Sequence, residues 1–152
     1  MTLMPSVPPV TPMPPVTAVP PVTLVPPAGA MLGIGLDLVD ISRFAKVLAR
    51  RPELFRRLFT DGEQAYAGTL ADPVPSLAAR FAAKEAVMKA LGVGVGAFAF
   101  TEVDVQRLAS GEPFLVLTGR AAERASARLV NSWLLSLTHT STAAAAVAMA
   151  IS

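Results

Sequence analysis

Ten of the 14 prolines fall within the first 27 residues, and that skew decides what this chain can fold into. Pro-Pro-Val-Thr recurs at 8–11, 14–17 and 20–23, a period of six, and Pro-Pro-Ala-Gly follows at 26–29. Proline at this density removes backbone donors and blocks helix propagation, so the segment favours an extended polyproline-like coil. No helix of about 20 residues survives it, which excludes a membrane span. The basic start and apolar run of a secretory signal are also missing. Residues 1–30 are therefore expected to be a disordered tail, with a Pro-rich docking segment as the minor alternative. Met31 offers an alternative start of translation.

About 120 residues remain, enough for one domain with one core over 31–152. The chain has no cysteine, so neither a disulfide framework nor a thiolate metal site is available, and cytoplasmic residence is the default. A net charge of +2 is too small to argue for nucleic acid.

Within this part, 31–39 reads as a buried strand and 41–48 as a short amphipathic helix with Asp40 as its cap. Arg50-Arg51-Pro52 breaks that helix, and Pro52 opens another over 53–59. Thr60-Asp61-Gly62-Glu63 matches a capping box for a third. Ser76 is expected to cap a long helix ending at Gly92. Residues 100–108 alternate as a strand, Ser110-Gly111 turns, and 113–117 returns. A helix over 120–130 precedes two closing strands, 133–138 and 143–151. Helices and strands mix without regular alternation. That predicts an α+β fold, a mainly antiparallel sheet packed with a long helix.

Several side chains stand out against this frame. Asp37 is an acid in an otherwise apolar strand, costly to bury unless paired or metal-bound; it reads equally as a strand-end cap. Glu85 and Lys89 lie four apart on one helix, about 5–6 Å at Cβ, which alone suits a surface ion pair. Together, Asp37 and Glu85 suit an oxygen-loving ion such as Mg²⁺, and Lys89 a phosphate. The loop 92–96, with Gly92 and Gly94, could expose backbone N–H groups to a phosphate or could simply close the helix. His139 is the only histidine, and a lone histidine is more often structural. Arg43, Lys46, Arg50, Arg51, Arg56 and Arg57 are six bases in fifteen positions with one acid, Glu53, among them. They form a solvated basic face or a dock for an acidic protein or phosphate-rich ligand. Only Phe44 and Phe55 interleave with them, which speaks against RNA.

Three blocks in this order resemble the holo-acyl-carrier-protein synthase family of 4′-phosphopantetheinyl transferases. They are Gly33-Ile34-Gly35-Leu36-Asp37-Leu38-Val39-Asp40-Ile41-Ser42-Arg43, then Arg80-Phe81-Ala82-Ala83-Lys84-Glu85-Ala86-Val87-Met88-Lys89-Ala90-Leu91-Gly92, then Ser136-Leu137-Thr138-His139. The second is the most specific. The resemblance implies that Asp37 and Glu85 hold Mg²⁺ on the diphosphate of coenzyme A, and that Lys89 contacts phosphate. Glu85 would also help deprotonate the attacking serine of apo-acyl carrier protein, with His139 nearby. It implies coenzyme A contacts at Lys84, Gly92, Gly94 and Thr138, and carrier-protein docking at Arg43, Lys46 and Arg50. It further implies a homotrimer with sites between subunits, acting in fatty acid biosynthesis without nucleic acid or membrane partners. A non-catalytic coenzyme A or carrier-protein binding module, or a transferase dedicated to polyketide or peptide synthase carriers, remains the alternative. Two departures from the family pattern are Thr140-Ser141-Thr142 after His139 and the alanine run 143–146, whose blandness predicts loose packing.

Overall fold

The computed structural model describes residues 29–152, so the proline-rich stretch and its expected disorder lie outside the described residues. The elements run β1 (Met31–Asp40), α1 (Ile41–Arg50), α2 (Glu53–Leu58), α3 (Asp61–Ala67), α4 (Val74–Ala90), a 3₁₀ turn (Phe100–Glu102), β2 (Val103–Arg107), β3 (Pro113–Leu117), α5 (Gly119–Ala127), β4 (Ser132–His139) and β5 (Ala143–Ile151). The fold is α+β. β5 sits between β1 and β4 in an antiparallel sheet, and β2 pairs with β3 as a separate hairpin.

The long helix α4 lies across the three-stranded sheet, and small residues let it come close. Ala144, Ala146, Ala148 and Ala150 of β5 are buried beneath it, as are Ala82, Ala83, Ala86 and Ala90 on the helix. A Cβ on Gly35 would collide with the Ala86 carbonyl oxygen, and one on Gly33 with that of Ala90. These glycines are required by backbone approach. The alanine run is thus the central strand, closely packed, and the expectation of looseness is corrected.

The other face of the sheet is apolar and open. Register aligns Ile34 with Met149 and Leu134, and Leu36 with Val147. Ile34, Leu36, Leu38 and Leu134 are all more than half exposed.

The caps follow local chemistry. Asp40 Oδ1 accepts from Arg43 N at 2.7 Å, as expected of a helix cap. Thr60 and Glu63 form the reciprocal capping box. Helix α4 instead starts two residues before Ser76. Asp72 Oδ1 accepts from Val74 N at 3.1 Å, and Ser76 Oγ accepts from Arg80 Nη1. The strand expected from 100 begins only at Val103. Glu102 accepts from Ala99 N (2.6 Å) and Arg120 N (2.9 Å), and this carboxylate bends the chain into the 3₁₀ turn.

Candidate active site

Two grooves flank α4, one on each side, and they divide the residues singled out in the sequence. The first, a cavity of about 790 Å³, is lined by Asp37, Arg43, Phe81, Glu85, Val95 and Thr142 among others. Its apolar wall is a stack of rings: Phe81 stands 5.4 Å from both Phe44 and Phe100. The second, of about 580 Å³, is lined by Tyr66, Ser76, Arg80, Arg107, Thr138 and His139 among others.

In the first groove β1 supplies Asp37 and α4 supplies Glu85. The Asp37 side chain is 17 % exposed and Glu85 is half-buried. No hydrogen bond reaches the Glu85 carboxylate from the described residues. Burial raises its pKa first, the Asp37 charge adds to that, and Lys89 opposes both. Lys89 does not pair with Glu85. Its Nζ donates to Asp37 Oδ1 at 2.8 Å and to Leu36 O at 2.9 Å. Two carboxylates converging on one groove, with a single ammonium between them, leave an excess negative charge among oxygen donors. That donor set fits a hard divalent ion, which takes one or two carboxylates and completes its shell with phosphate and water. No cluster of three or more acidic, histidine or cysteine ligands exists among the described residues. A closed all-protein metal cage is therefore not what these residues build.

Arg43, Lys46 and Arg50 are exposed along α1, spaced so that all three share one face, and Arg43 reaches the rim of the groove. Gly92 terminates α4 at φ +64°, and Gly94 has open space around it. Neither lines the first groove; the loop they bound delivers Val95 to it.

Lys84 departs from its expected role. It is fully buried, and Nζ donates to Glu63 Oε2 at 2.6 Å and to Phe100 O at 3.0 Å. Glu63 also accepts from Thr60 N and Val105 N. Burial lowers the Lys84 pKa, and the Glu63 charge opposes the shift. A charge pair this enclosed joins α3, α4 and the β2 edge and seals the ammonium from solvent.

His139 is exposed at the end of β4 and, with Thr138, belongs to the second groove. The structure thus brings Asp37, Glu85 and Lys89 together and places His139 across the helix from them. The residue missing from the sequence reading is Arg80. It is 3 % exposed, its guanidinium sits 4.4 Å from the centroid of the Tyr66 ring, and its Nε has no hydrogen-bond partner among the described residues. Arg107 lies over the same ring at 5.7 Å. An arginine set in sequence between Ala78-Ala79 and, after Phe81, Ala82-Ala83 was the available signal. A buried donor aimed at a groove beside a second guanidinium is suited to an anion.

The 4′-phosphopantetheinyl transferase superfamily model matches residues 33–148. The chain is 44 % identical over 119 residues to the holo-[acyl-carrier-protein] synthase of Moorella thermoacetica, covering 78 % of this chain and 93 % of that protein. Among solved structures, the holo-[acyl-carrier-protein] synthase of Neisseria meningitidis matches with a TM-score of 0.74 at 28 % identity, over 81 % of this chain and all of that one. The Helicobacter pylori synthase, solved in complex with coenzyme A, matches with a TM-score of 0.68 at 29 % identity, over 78 % and 99 %.

Proposed function

The chain belongs to the holo-acyl-carrier-protein synthase family of the 4′-phosphopantetheinyl transferase superfamily, and from that premise we propose how its two grooves divide the work. It is an enzyme of that class, moving 4′-phosphopantetheine from coenzyme A to a serine of apo-acyl carrier protein. The serine oxygen attacks the β-phosphorus of coenzyme A. The bond from that phosphorus to the bridging oxygen breaks, and adenosine 3′,5′-bisphosphate leaves with the electron pair. The serine proton passes to Glu85, directly or through a water. The observation that carries this reading is Glu85 itself: a half-buried carboxylate in the same groove as Asp37, without a hydrogen-bond partner among the described residues, its proton affinity raised first by burial and then by the Asp37 charge.

Mg²⁺ held by Asp37 and Glu85 would neutralise the diphosphate, which is the main requirement of phosphoryl chemistry. Lys89 adds an ammonium to the same phosphates. Arg80, with Arg107 and His139, takes a further phosphate of coenzyme A in the second groove. Arg43, Lys46 and Arg50 meet the acidic face of the carrier protein and align the serine. Fatty acid biosynthesis in the cytoplasm is the setting that fits this substrate pair; no helix among the described residues is long and apolar enough to cross a membrane.

Copies associate as a homotrimer through the outer face of the sheet, so that the Arg80 groove of one copy meets the Asp37–Glu85 groove of the next. Two features support this: the open row of Ile34, Leu36, Leu38 and Leu134, and the placement of the two groups on opposite flanks of α4.

The test is Glu85→Gln. Transfer to apo-carrier protein falls roughly tenfold or more while the fold is retained, in line with the loss of a general base. A folded variant with the wild-type rate would remove Glu85 from the role.

A further inference from the structure

Lys89 is the one cation hydrogen-bonded to either groove carboxylate among the described residues, and it is spent on the strand. Its Nζ is 2.8 Å from Asp37 Oδ1 and 2.9 Å from Leu36 O, although Glu85 lies one turn away on the same helix. A carboxylate oxygen engaged in a charge-assisted hydrogen bond at this distance is not fully available to a metal ion. A divalent ion brought beside Asp37 would also meet a positive charge in near contact, where Coulomb repulsion is strongest. The lysine is free to move elsewhere: its side chain is 50 % exposed, against 17 % for Asp37. A compact ammonium on a flexible four-carbon stem can leave one anion for another.

We propose that Lys89 is a stand-in cation at Asp37, which occupies that carboxylate in the ligand-free enzyme and releases it when the diphosphate of coenzyme A draws the ammonium away. The inference rests on the metal and coenzyme A reading above. It makes the two ligands cooperative. Divalent ions bind Asp37 weakly until the diphosphate arrives, and by linkage the metal raises coenzyme A affinity by the same factor. The device keeps Asp37 paired when substrate is absent and couples metal entry to the substrate that needs it.

The probe is Mn²⁺, titrated against the full chain and followed through the electron paramagnetic resonance signal of the free ion, with and without coenzyme A and with no carrier protein present. In wild type, coenzyme A tightens Mn²⁺ binding by about tenfold or more, within the usual range of coupling between sites. Lys89→Met without coenzyme A binds Mn²⁺ about tenfold tighter than wild type, and its gain on adding coenzyme A shrinks. Arg43→Met removes a guanidinium from the same groove without touching Asp37, and shifts Mn²⁺ affinity by no more than about threefold, as a screened charge should. Equal tightening in both variants would mean a general field effect and overturn the proposal. So would an unchanged Lys89→Met with coenzyme A-dependent binding intact, a result that leaves the reaction reading standing. Absence of Mn²⁺ binding in every protein with coenzyme A present would overturn the metal reading and this inference together. Lys89 is half-exposed, so a thermal melt suffices to confirm folding; Lys89→Gln repeats the test with a polar side chain.

Discussion

At the residue scale, the neighbours Lys84 and Glu85 carry the lesson of this helix. Successive residues are turned about 100° around an α-helix. Once Lys84 is sealed against Glu63 and Phe100 O, Glu85 is rotated out to one flank, together with Phe81 and Lys89. Arg80 shares the Lys84 side and emerges at the opposite groove. Charge alone does not distinguish these positions in a sequence, since Lys84 and Lys89 are both lysines beside one glutamate. Burial separates them, and burial depends on Glu63, which is 21 positions upstream. The same holds for Lys89, whose spacing from Glu85 suggests a helical pair. Its actual partner, Asp37, arrives from a strand 52 residues away.

At the scale of elements, much was legible where the chemistry is local. Asp40 caps α1, the Thr60–Glu63 box opens α3, and Gly92 ends α4, each within a few residues of its partner. What was not legible depended on distant groups. The 3₁₀ turn before β2 exists because Glu102 bonds Arg120 N, at the start of a helix 18 residues on. Gly119 there has φ +50°, and a Cβ at that position would collide with the Glu102 carboxylate. The Glu102 carboxylate is held below the usual value of 4.5, first by the Ala99 N–H and then by the Arg120 N–H. Because the folded value is depressed, its stabilisation is fully present above pH 4.5 and is lost as pH falls through the lower folded value. Glu102→Gln therefore melts below wild type at neutral pH. In thermal melts across an acid series the gap between the two proteins closes below pH 4.5. A gap that stays constant with pH would contradict the assignment.

At the scale of the whole molecule, the order Asp37, Glu85, His139 could be read along the chain, but not the side of α4 on which each falls. Asp37 and Leu137 both pair with Ala146, from opposite edges of β5, so β1 and β4 are about 10 Å apart with the helix lying between the two grooves. The open apolar face of the sheet is where the proposed assembly joins its copies. Leu36, 59 % exposed at its centre, is the residue through which to test association. Leu36→Asp buries an unpaired carboxylate in any such interface. Sedimentation velocity should then show a smaller species than wild type, with transfer reduced in parallel; unchanged sedimentation would contradict assembly through this face. The central claim, that this chain transfers phosphopantetheine, is tested most directly by the intact mass of apo-acyl carrier protein after incubation with the enzyme, coenzyme A and Mg²⁺. The account predicts the carrier mass rising by one phosphopantetheine, with none added when coenzyme A is left out. An unchanged mass, with several apo-carrier proteins tried, would contradict it.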